Sequence, residues 1–382
     1  MTSSLPKSVF EGLGDVREKY TDETSQNFIL SRTYPVAFNA EHITQAPSYQ
    51  RGREFKFNTH LDAAVVVLRH LYSMVAPDYR SSDCYPDEES RCPLLRFIWA
   101  DFRDTSEASL KAQCVIRYEM QLADDPEGQA SIFKLFENKA MWDTLWSRMP
   151  FRLYHDTVLG KAPRQKKWKC IDHHESIIQH TLVKWDGTKP LGDYIGGHFG
   201  HRKFDDGDEM VYIFNNPAII RVRYQHKAQA QGPAKYADIR QIYIKHYRFK
   251  HEERDGDHYV VKSKSEERKL YTLVAVVRCS NDGREGDRIR LYSMIGSPLS
   301  LPIGLEEYVG TYWNLGDLPA DRPYLLFYAR APPEPITGLH EEPIARRPAD
   351  AEALINSIIA GSTRLNTKGG PSASTTKPTP PS

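Results

Sequence analysis

The sequence lacks the features that mark secreted, membrane-spanning and nucleic-acid-binding proteins. Its five cysteines in 382 residues are few, odd in number and scattered, so they do not form a disulfide framework. It has no apolar run of about 18 residues and no signal-peptide core at its start. Its 51 basic and 50 acidic residues give a net charge of +1, which argues against a nucleic-acid or membrane surface. We therefore expect a cytoplasmic or nuclear protein that binds neither nucleic acid nor membrane.

The clearest pattern that is present predicts a helix over Phe57–Tyr72. Thr59 and Asp62 form the Thr-x-x-Asp pattern of a capping box, which marks a helix start. Ala63–Leu68 is apolar at every position, which is typical of a helix buried on all sides. Two basic residues lie near its C-terminal end, where positive charge suits the helix dipole: Arg69 and His70. The pattern predicts a central helix around which the domain packs.

The first turn of this helix is a chemically favoured position. Free N–H groups and the helix dipole stabilise an anion there, and a cysteine at that point would become a nucleophile. The chain has His60 there instead. The simplest interpretation of His60 is a polar first-turn residue.

Element order predicts an α+β protein, because helical periodicity comes first and strand periodicity follows. We expect a flexible N-terminal arm over residues 1–26, a helical half over 27–149 and a β-rich half over 150–330. Residues 331–382 are rich in proline, serine and threonine and predict a mostly disordered tail. The predicted strands are Phe151–Tyr154, Ile177–Trp185, Met210–Phe214, Ala218–Tyr224, Ile239–Lys250, His258–Lys262, Tyr271–Cys279, Arg288–Ser293 and Tyr324–Arg330.

Four stretches of the chain, in this order, resemble the ubiquitin-specific protease family, the papain-like ubiquitin carboxyl-terminal hydrolases. Asn58-Thr59-His60 with the following helix resembles the family's Asn-Thr-Cys box. Pro217–Tyr224 and Tyr271–Val277 resemble two of its strands, the second preceding the family's Gly-His-Tyr box, and Tyr324–Arg330 resembles its closing strand. The resemblance covers about Asn27 to Arg330. It implies a papain-like cysteine protease fold, with a helical half and an antiparallel β half.

The chain departs from the family at every catalytic position. The resemblance places the family's nucleophile at His60, its oxyanion-stabilising Asn at Phe55 and its general-base His at Asp287. The residue that orients the base has no match around Leu301–Glu306. A cysteine protease needs a thiolate, a base and an oxyanion donor together. We therefore expect no catalytic residues at these positions.

The resemblance thus implies a catalytically inactive ubiquitin-hydrolase-like protein that binds ubiquitin or another protein. The positions expected at the mouth of its cleft are Asn58, His60, Asp287 and Arg288. One alternative is an active deubiquitinating thiol hydrolase with a relocated nucleophile, for which the cysteines to consider are Cys84, Cys92 and Cys279. Another is a structural interaction protein with no link to ubiquitin.

Two short pairs have the spacing of a zinc knuckle: Cys170-x-x-His173 and His198-x-x-His201. Ligands two residues apart can reach one ion, and four sulfur or nitrogen ligands complete a structural tetrahedron. The resembling family carries Cys-x-x-Cys knuckles in this region, although many members have lost the metal. One structural zinc is therefore the only cofactor that we consider, and histidine-rich loops without a metal are the alternative.

Overall fold

The structure is a computed structural model, and it describes residues 10, 12–19, 59–76, 79, 86–101, 106–120, 131–165, 167–171, 181–226, 234–254, 258–279, 287–299, 315 and 323–331. The chain divides into two compact units, Met1–Pro343 and Ile344–Ser382. The second unit, and with it most of the predicted tail, lies outside the described residues. Within the first unit the described residues form a mixed helix-and-sheet structure.

Most of the described helical residues come before the first strand. The helices are α1 Val16–Lys19, α2 Thr59–Ser73, α3 Pro86–Arg91, α4 Pro93–Phe97, α5 Ser106–Glu119, α6 Ile132–Phe136, α7 Lys139–Met141, α8 Leu191–Gly196 and α9 Tyr236–Ile239. A π-helical turn, Trp142–Trp146, continues from α7. Among the described residues, α8 and α9 are the helices that lie between strands, so this part of the chain has the predicted order of helices and then strands.

Helix α2 is the centre of the larger hydrophobic core, as its sequence predicts. Every side chain from Ala63 to Leu68 is 0% exposed, and so is Leu71. The helix begins at Thr59 rather than Phe57. The side chains of Thr59 and Asp62 lie outside the described ones, so the capping box stays a prediction.

The two basic residues near the end of α2 are buried. Their side chains form hydrogen bonds with backbone carbonyl oxygens of other elements, which the dipole prediction did not include. The Arg69 guanidinium donates to the carbonyl oxygens of Ile98 at 2.5 Å and Ala100 at 2.6 Å. His70 places Nε2 3.1 Å from the carbonyl oxygen of Val274 and 3.0 Å from that of Tyr292. Burial lowers the pKa of His70 to about 4, so the ring is neutral near pH 7. His70 therefore joins α2 to the sheet as a hydrogen-bond donor and carries no charge for the dipole.

Ten strands form one sheet in the described part of the chain. They are β1 Val158–Lys161, β2 Trp168–Ile171, β3 Leu182–Trp185, β4 Gly200–Lys203, β5 Glu209–Tyr212, β6 Ile219–Tyr224, β7 Gln241–Arg254, β8 His258–Arg278, β9 Arg288–Leu291 and β10 Tyr324–Arg330. The sequence predicts β10 with its observed bounds. The two predicted strands His258–Lys262 and Tyr271–Cys279 are parts of the single strand β8. Predicted strand Phe151–Tyr154 is wrong, since Tyr154 forms only an isolated bridge to Phe214.

The sheet is organised around β8, which is 21 residues long. The strand order is β3-β6-β10-β8-β2-β1-β5-β4, and β7 and β9 also pair with β8. Strand β3 pairs in parallel with β6, so the prediction of a purely antiparallel β half is wrong at that edge. The physical reason is that the long connection after β3, which includes α8, lets the chain return in the same direction.

The central strands are buried on both faces, and their side chains alternate between two hydrophobic cores. Along β10 the side chains that join the α2 core are Leu325, Phe327 and Ala329. Those that join the second core, on the other face, are Tyr324, Leu326 and Tyr328. The sheet therefore separates a helix-covered face from a second face covered by α8, α9 and loops.

Part of the segment predicted as a flexible arm is packed against the helical region. Leu13 and Val16 are 6% and 5% exposed, and the Val16 N–H donates to the carbonyl oxygen of Trp99 at 2.8 Å. Arg17 pairs with Glu89 at 2.6 Å and lies 4.8 Å above the Trp99 ring. These apolar and ionic contacts correct the prediction for residues 12–19, because burial of two apolar side chains offsets the cost of ordering the chain.

Helix α8 lies against the backbone of β7 at an approach that requires glycine. A Cβ on Gly196 would lie 2.6 Å from the Lys245 carbonyl oxygen, and Gly192 meets the Tyr243 carbonyl in the same way. The helix therefore covers backbone groups of a strand that pairs only with β8 among the described residues. None of the helices that the structure describes is long and apolar enough to cross a membrane.

Candidate functional site

The candidate site lies where the first turn of α2 meets the start of β9. His60 Nδ1 is 2.7 Å from Asp287 Oδ2, although 227 positions separate the two residues along the chain. His60 is 8% exposed and Asp287 is 0% exposed. Because a carboxylate only accepts hydrogen bonds, His60 carries a proton on Nδ1 and donates it to Asp287. The structure thus places together the two positions that the resemblance assigned to nucleophile and base.

A third element adds a hydrogen bond to the carboxylate. The backbone N–H of Ile132, the first residue of α6, donates to the same Asp287 Oδ2 at 2.5 Å. Ser131 precedes it as the N-cap and accepts from the Lys134 N–H at 3.2 Å. A buried carboxylate with two donors is far less costly than an unpaired one. Asp287 therefore joins the starts of α2 and α6 to the end of the sheet.

The arrangement has the form of a histidine–carboxylate dyad. An aspartate on Nδ1 fixes the imidazole tautomer and leaves Nε2 as the ring atom that could move a proton. Among the described residues, however, Asp287 is the one hydrogen-bond partner of His60, and no hydroxyl or thiol bonds to the ring. Acyl transfer at this dyad would require a hydroxyl or thiol within reach of Nε2.

The other positions that the resemblance assigned lie mostly outside the described residues. Phe55, Asn58 and the segment Leu301–Glu306 are among those not described. Arg288 is described as half-buried, and it starts β9 directly opposite Arg278 of β8. The structure therefore places Arg288 next to Asp287 at the candidate site, and the roles of Phe55 and Asn58 stay predictions.

The described thiols offer no activated nucleophile near this dyad. Burial raises the pKa of Cys92 to about 11, although Cys92 is the N-cap of α4. Burial and the nearby Asp287 carboxylate raise the pKa of Cys279 well above its usual range. Both side chains are at most 1% exposed, and their protonated thiols are poor nucleophiles. Cys84 lies outside the described residues, so a nucleophile there stays a prediction.

The predicted zinc ligands are not grouped as a metal site in the described part of the chain. Cys170 is exposed on β2, His198 contacts the Tyr194 ring at 5.1 Å and His201 lies on β4, while His173 is outside the described residues. No group of three or more His, Cys, Asp or Glu side chains among the described residues could hold a metal ion. Zinc analysis of the purified chain and of Cys170→Ala would test the zinc prediction.

In place of a metal cluster, the short strands carry an ionic and aromatic cluster. Glu209 on β5 lies 2.9 Å from Lys161 Nζ on β1 and 2.8 Å from His201 Nε2 on β4. Trp168 on β2 contacts the His201 ring at 5.6 Å, and the Lys161 ammonium lies 5.0 Å from its ring centre. This cluster connects all four strands β1, β2, β4 and β5 by contacts of their own side chains.

Sequence reasoning missed two features on the helix-covered face. Ile132 supplies a backbone donor, which no side-chain pattern can reveal. Arg221, buried on β6, lies 3.9 Å from the Trp146 ring and 4.6 Å from the Trp142 ring, and it pairs with Glu137 at 3.2 Å. Burial lowers the pKa of Arg221 to about 10. Its sequence signal was the presence of two arginines, Arg221 and Arg223, in the predicted strand Ala218–Tyr224.

Comparisons with known proteins find a distant structural likeness. No family model and no curated protein matches the sequence. A chain of the SAGA Ubp8/Sgf11/Sus1/Sgf73 DUB module is similar over 83% of this chain and 73% of that chain, with 11% identity and a TM-score of 0.28. The Saccharomyces cerevisiae Pan2 pseudoubiquitin hydrolase–RNA exonuclease module, in complex with AAUUAA RNA, is similar over 72% of this chain and 47% of that chain. Its identity is 11% and its TM-score 0.24. At these TM-scores the likeness supports no statement about activity or partners.

Proposed function

We propose that the chain is a catalytically inactive ubiquitin-hydrolase-like protein with a papain-like fold, and that it binds ubiquitin or another protein. The observation that supports the proposal is the contact between His60 and Asp287, 2.7 Å apart. The sequence resemblance alone assigns these two residues to one catalytic site. Their meeting across 227 positions is what a correct alignment to that family requires.

The chemistry of the pair supports the absence of hydrolysis. The Asp287 carboxylate has no nucleophile to activate at position 60, because that position holds the imidazole of His60, which is already hydrogen-bonded to Asp287. Both side chains are buried, and Asp287 also accepts from the Ile132 N–H, so the gap between the two positions is occupied by their own hydrogen bonds. A thiol hydrolase requires this gap for its nucleophile, base and reacting carbonyl.

The partner is sought at the cleft mouth around this pair, where Arg288 is half-buried. The test is a titration of isotope-labelled ubiquitin with the full chain, followed by NMR. We expect shifts confined to the C-terminal tail and the apolar patch of ubiquitin, without cleavage. Arg288→Ala should weaken them, whereas Arg268→Ala, an exposed arginine on β8, should leave them unchanged.

Two results would count against this proposal. Release of ubiquitin from a ubiquitin conjugate would remove the inactive assignment. An absence of shifts at high micromolar chain, together with no captured protein partner whose binding responds to Arg288→Ala, would remove the binding function at this cleft.

A further inference from the structure

The edge of the helix-covered face formed by β3, β6 and α6 carries an excess of positive charge. Lys184 on β3 lies directly opposite Arg223 on β6 in the strand register. Lys184 is exposed, and Arg223 and Glu137 are half-buried. Arg221, two residues before Arg223, is buried on the same face. Among the described residues, three cations therefore act on the Glu137 carboxylate, and we call Lys184, Arg223, Phe133 and Glu137 the basic edge.

The carboxylate at this edge is already used by the buried cation. Glu137 Oε1 lies 3.2 Å from Arg221 Nη1. Burial raises the pKa of Glu137, even though Arg221, Arg223 and Lys184 act to lower it. Glu137 forms its ion pair with Arg221, and among the described residues neither Lys184 nor Arg223 forms an ion pair. An incoming anion would therefore meet two accessible cations.

The guanidinium of Arg223 is held in an orientation suited to binding a carboxylate. Its central carbon lies 4.6 Å from the centre of the Phe133 ring on α6. Its hydrogen-bond partner among the described residues is Gln225 Oε1, at a long 3.4 Å. Stacking on an aromatic face restricts the guanidinium while leaving its N–H edge available for bidentate bonds. Less conformational entropy is then lost when a carboxylate binds.

We propose that the basic edge binds an acidic peptide segment of a protein partner, with Arg223 and Lys184 pairing with its carboxylates. Phe133 contributes an apolar contact beside them, since it is only partly buried against the core. Phe133 directly follows Ile132, which bonds to Asp287, so the segment would lie beside the candidate site. This inference rests on the proposed protein-binding function and names the chemistry of the partner.

An acidic peptide fits this edge better than a nucleic acid does. Nucleic-acid surfaces gather many cations that follow a phosphate backbone. Here the whole chain has a net charge of +1, and the edge offers two accessible cations beside a carboxylate. A short peptide with alternating carboxylate and apolar side chains matches two cations and one half-buried phenyl ring.

The test measures binding of a fluorescent glutamate- and leucine-containing peptide to the full chain by anisotropy. A lysine- and leucine-containing peptide and a single-stranded oligonucleotide are measured alongside. We expect the acidic peptide alone to bind, with an affinity that falls as salt increases. Removing both charges in Lys184→Gln/Arg223→Gln should weaken binding by roughly tenfold, a usual effect for two charge-assisted contacts. The matched control Lys169→Gln/Lys245→Gln removes two exposed charges elsewhere and should change affinity by less than about twofold.

Three results would overturn the proposal that the basic edge binds an acidic peptide. They are no binding of the acidic peptide, binding that Lys184→Gln/Arg223→Gln leaves unchanged, and tighter binding of the oligonucleotide. The experiments can show that the basic edge does not bind a peptide without also removing the proposed protein-binding function. Ubiquitin shifts that respond to Arg288→Ala but not to Lys184→Gln/Arg223→Gln would keep the protein-binding function and remove only the basic edge.

Discussion

Two histidine–carboxylate pairs have nearly the same nitrogen–oxygen distance, but one pair is buried and the other is exposed. His60 and Asp287 are 2.7 Å apart in the interior, where two helix starts meet the sheet. His201 and Glu209 are 2.8 Å apart on the short strands β4 and β5, where the histidine side chain is 44% exposed. Water already solvates the exposed pair, so forming it gains little, whereas the buried pair leaves unpaired polar groups if it is broken. Distance alone therefore does not tell a structural or functional pair from a surface contact.

The largest effect should come from removing the buried carboxylate. Asp287→Ala leaves both the His60 ring and the Ile132 N–H without their acceptor, and we expect it to cost about 4 kcal/mol of unfolding free energy. Both donors bond to Oδ2, so Asp287→Asn can keep one oxygen acceptor for them while losing the negative charge, and it should cost less. Urea unfolding followed by circular dichroism measures both. Asp143→Ala, which removes an exposed ion pair with Lys139, is the control and should cost below about 0.5 kcal/mol. Equal costs for Asp287→Ala and Asp143→Ala would contradict the buried pair.

A third histidine, His70, is buried against carbonyl oxygens, and no carboxylate bonds to it among the described residues. The pKa of His70 is about 4 in the fold and 6.5 in a model peptide. The unfolded chain therefore binds a proton more readily, and His70 favours folding fully only above about pH 6.5. This contribution should be lost as pH falls from 6.5 towards 4, by about 3 kcal/mol in total.

The measurement is urea unfolding across this pH range for the natural chain and for His70→Gln. Glutamine keeps an N–H donor for the carbonyl oxygens of Val274 and Tyr292 but does not titrate there. The variant should show a shallower loss of stability between pH 6.5 and 4. Parallel curves for the two proteins would mean that His70 is not the group responsible.

A smaller effect should follow replacement of the histidine in the buried pair. His60→Asn keeps an N–H close to the position of Nδ1 and should cost about 1 kcal/mol, whereas His60→Ala leaves the carboxylate with one donor and should cost about 2 kcal/mol. The difference between the variants reports the Nδ1–H to Asp287 hydrogen bond. If His60→Asn and His60→Ala lowered the free energy of unfolding equally, the hydrogen bond to Asp287 would not contribute to stability.

The smallest effect should come from the exposed pair. Glu209→Gln removes the charge that faces Lys161 and His201, and we expect no resolvable change in the midpoint of urea unfolding. Hydrogen exchange of the β4 and β5 amides should increase slightly, because Lys161 and His201 lose the charge of their common partner. If Glu209→Gln lowered the urea midpoint as much as Asp287→Ala does, burial would not explain a difference in stability between the two pairs.

The sequence predicted the buried pair better than the exposed region because apolar patterns carry long-range information. Helix α2 and strand β10 were found from runs of buried residues, and the resemblance that these runs carried assigned His60 and Asp287 to one site. Strands β1, β2 and β4 were missed because the contacts that join them depend on charged and aromatic side chains rather than on an apolar alternation. Of the predicted zinc ligands Cys170, His173, His198 and His201, the exposed cluster contains His201, because an x-x spacing does not specify which strands meet.

The remaining failures concern interactions that have no local signature. The Ile132 N–H reaches Asp287 through the backbone, and its identity as isoleucine plays no part. The parallel pairing of β3 with β6 depends on how a long connection crosses the sheet. The buried cation Arg221 is stabilised by two tryptophans from a π-helical turn some 75 positions earlier, a contact that only the folded chain creates. These features require the tertiary structure.

The most direct test of the central claim is incubation of the full chain with a ubiquitin probe that carries a thiol-reactive C-terminus. Intact mass measurement and peptide mapping would follow. With a histidine–carboxylate pair at positions 60 and 287 and buried, protonated thiols at Cys92 and Cys279, we expect no covalent adduct on any of the five cysteines. An adduct that maps to one cysteine, and that is lost when that residue is changed to serine, would contradict the account and identify an active thiol hydrolase.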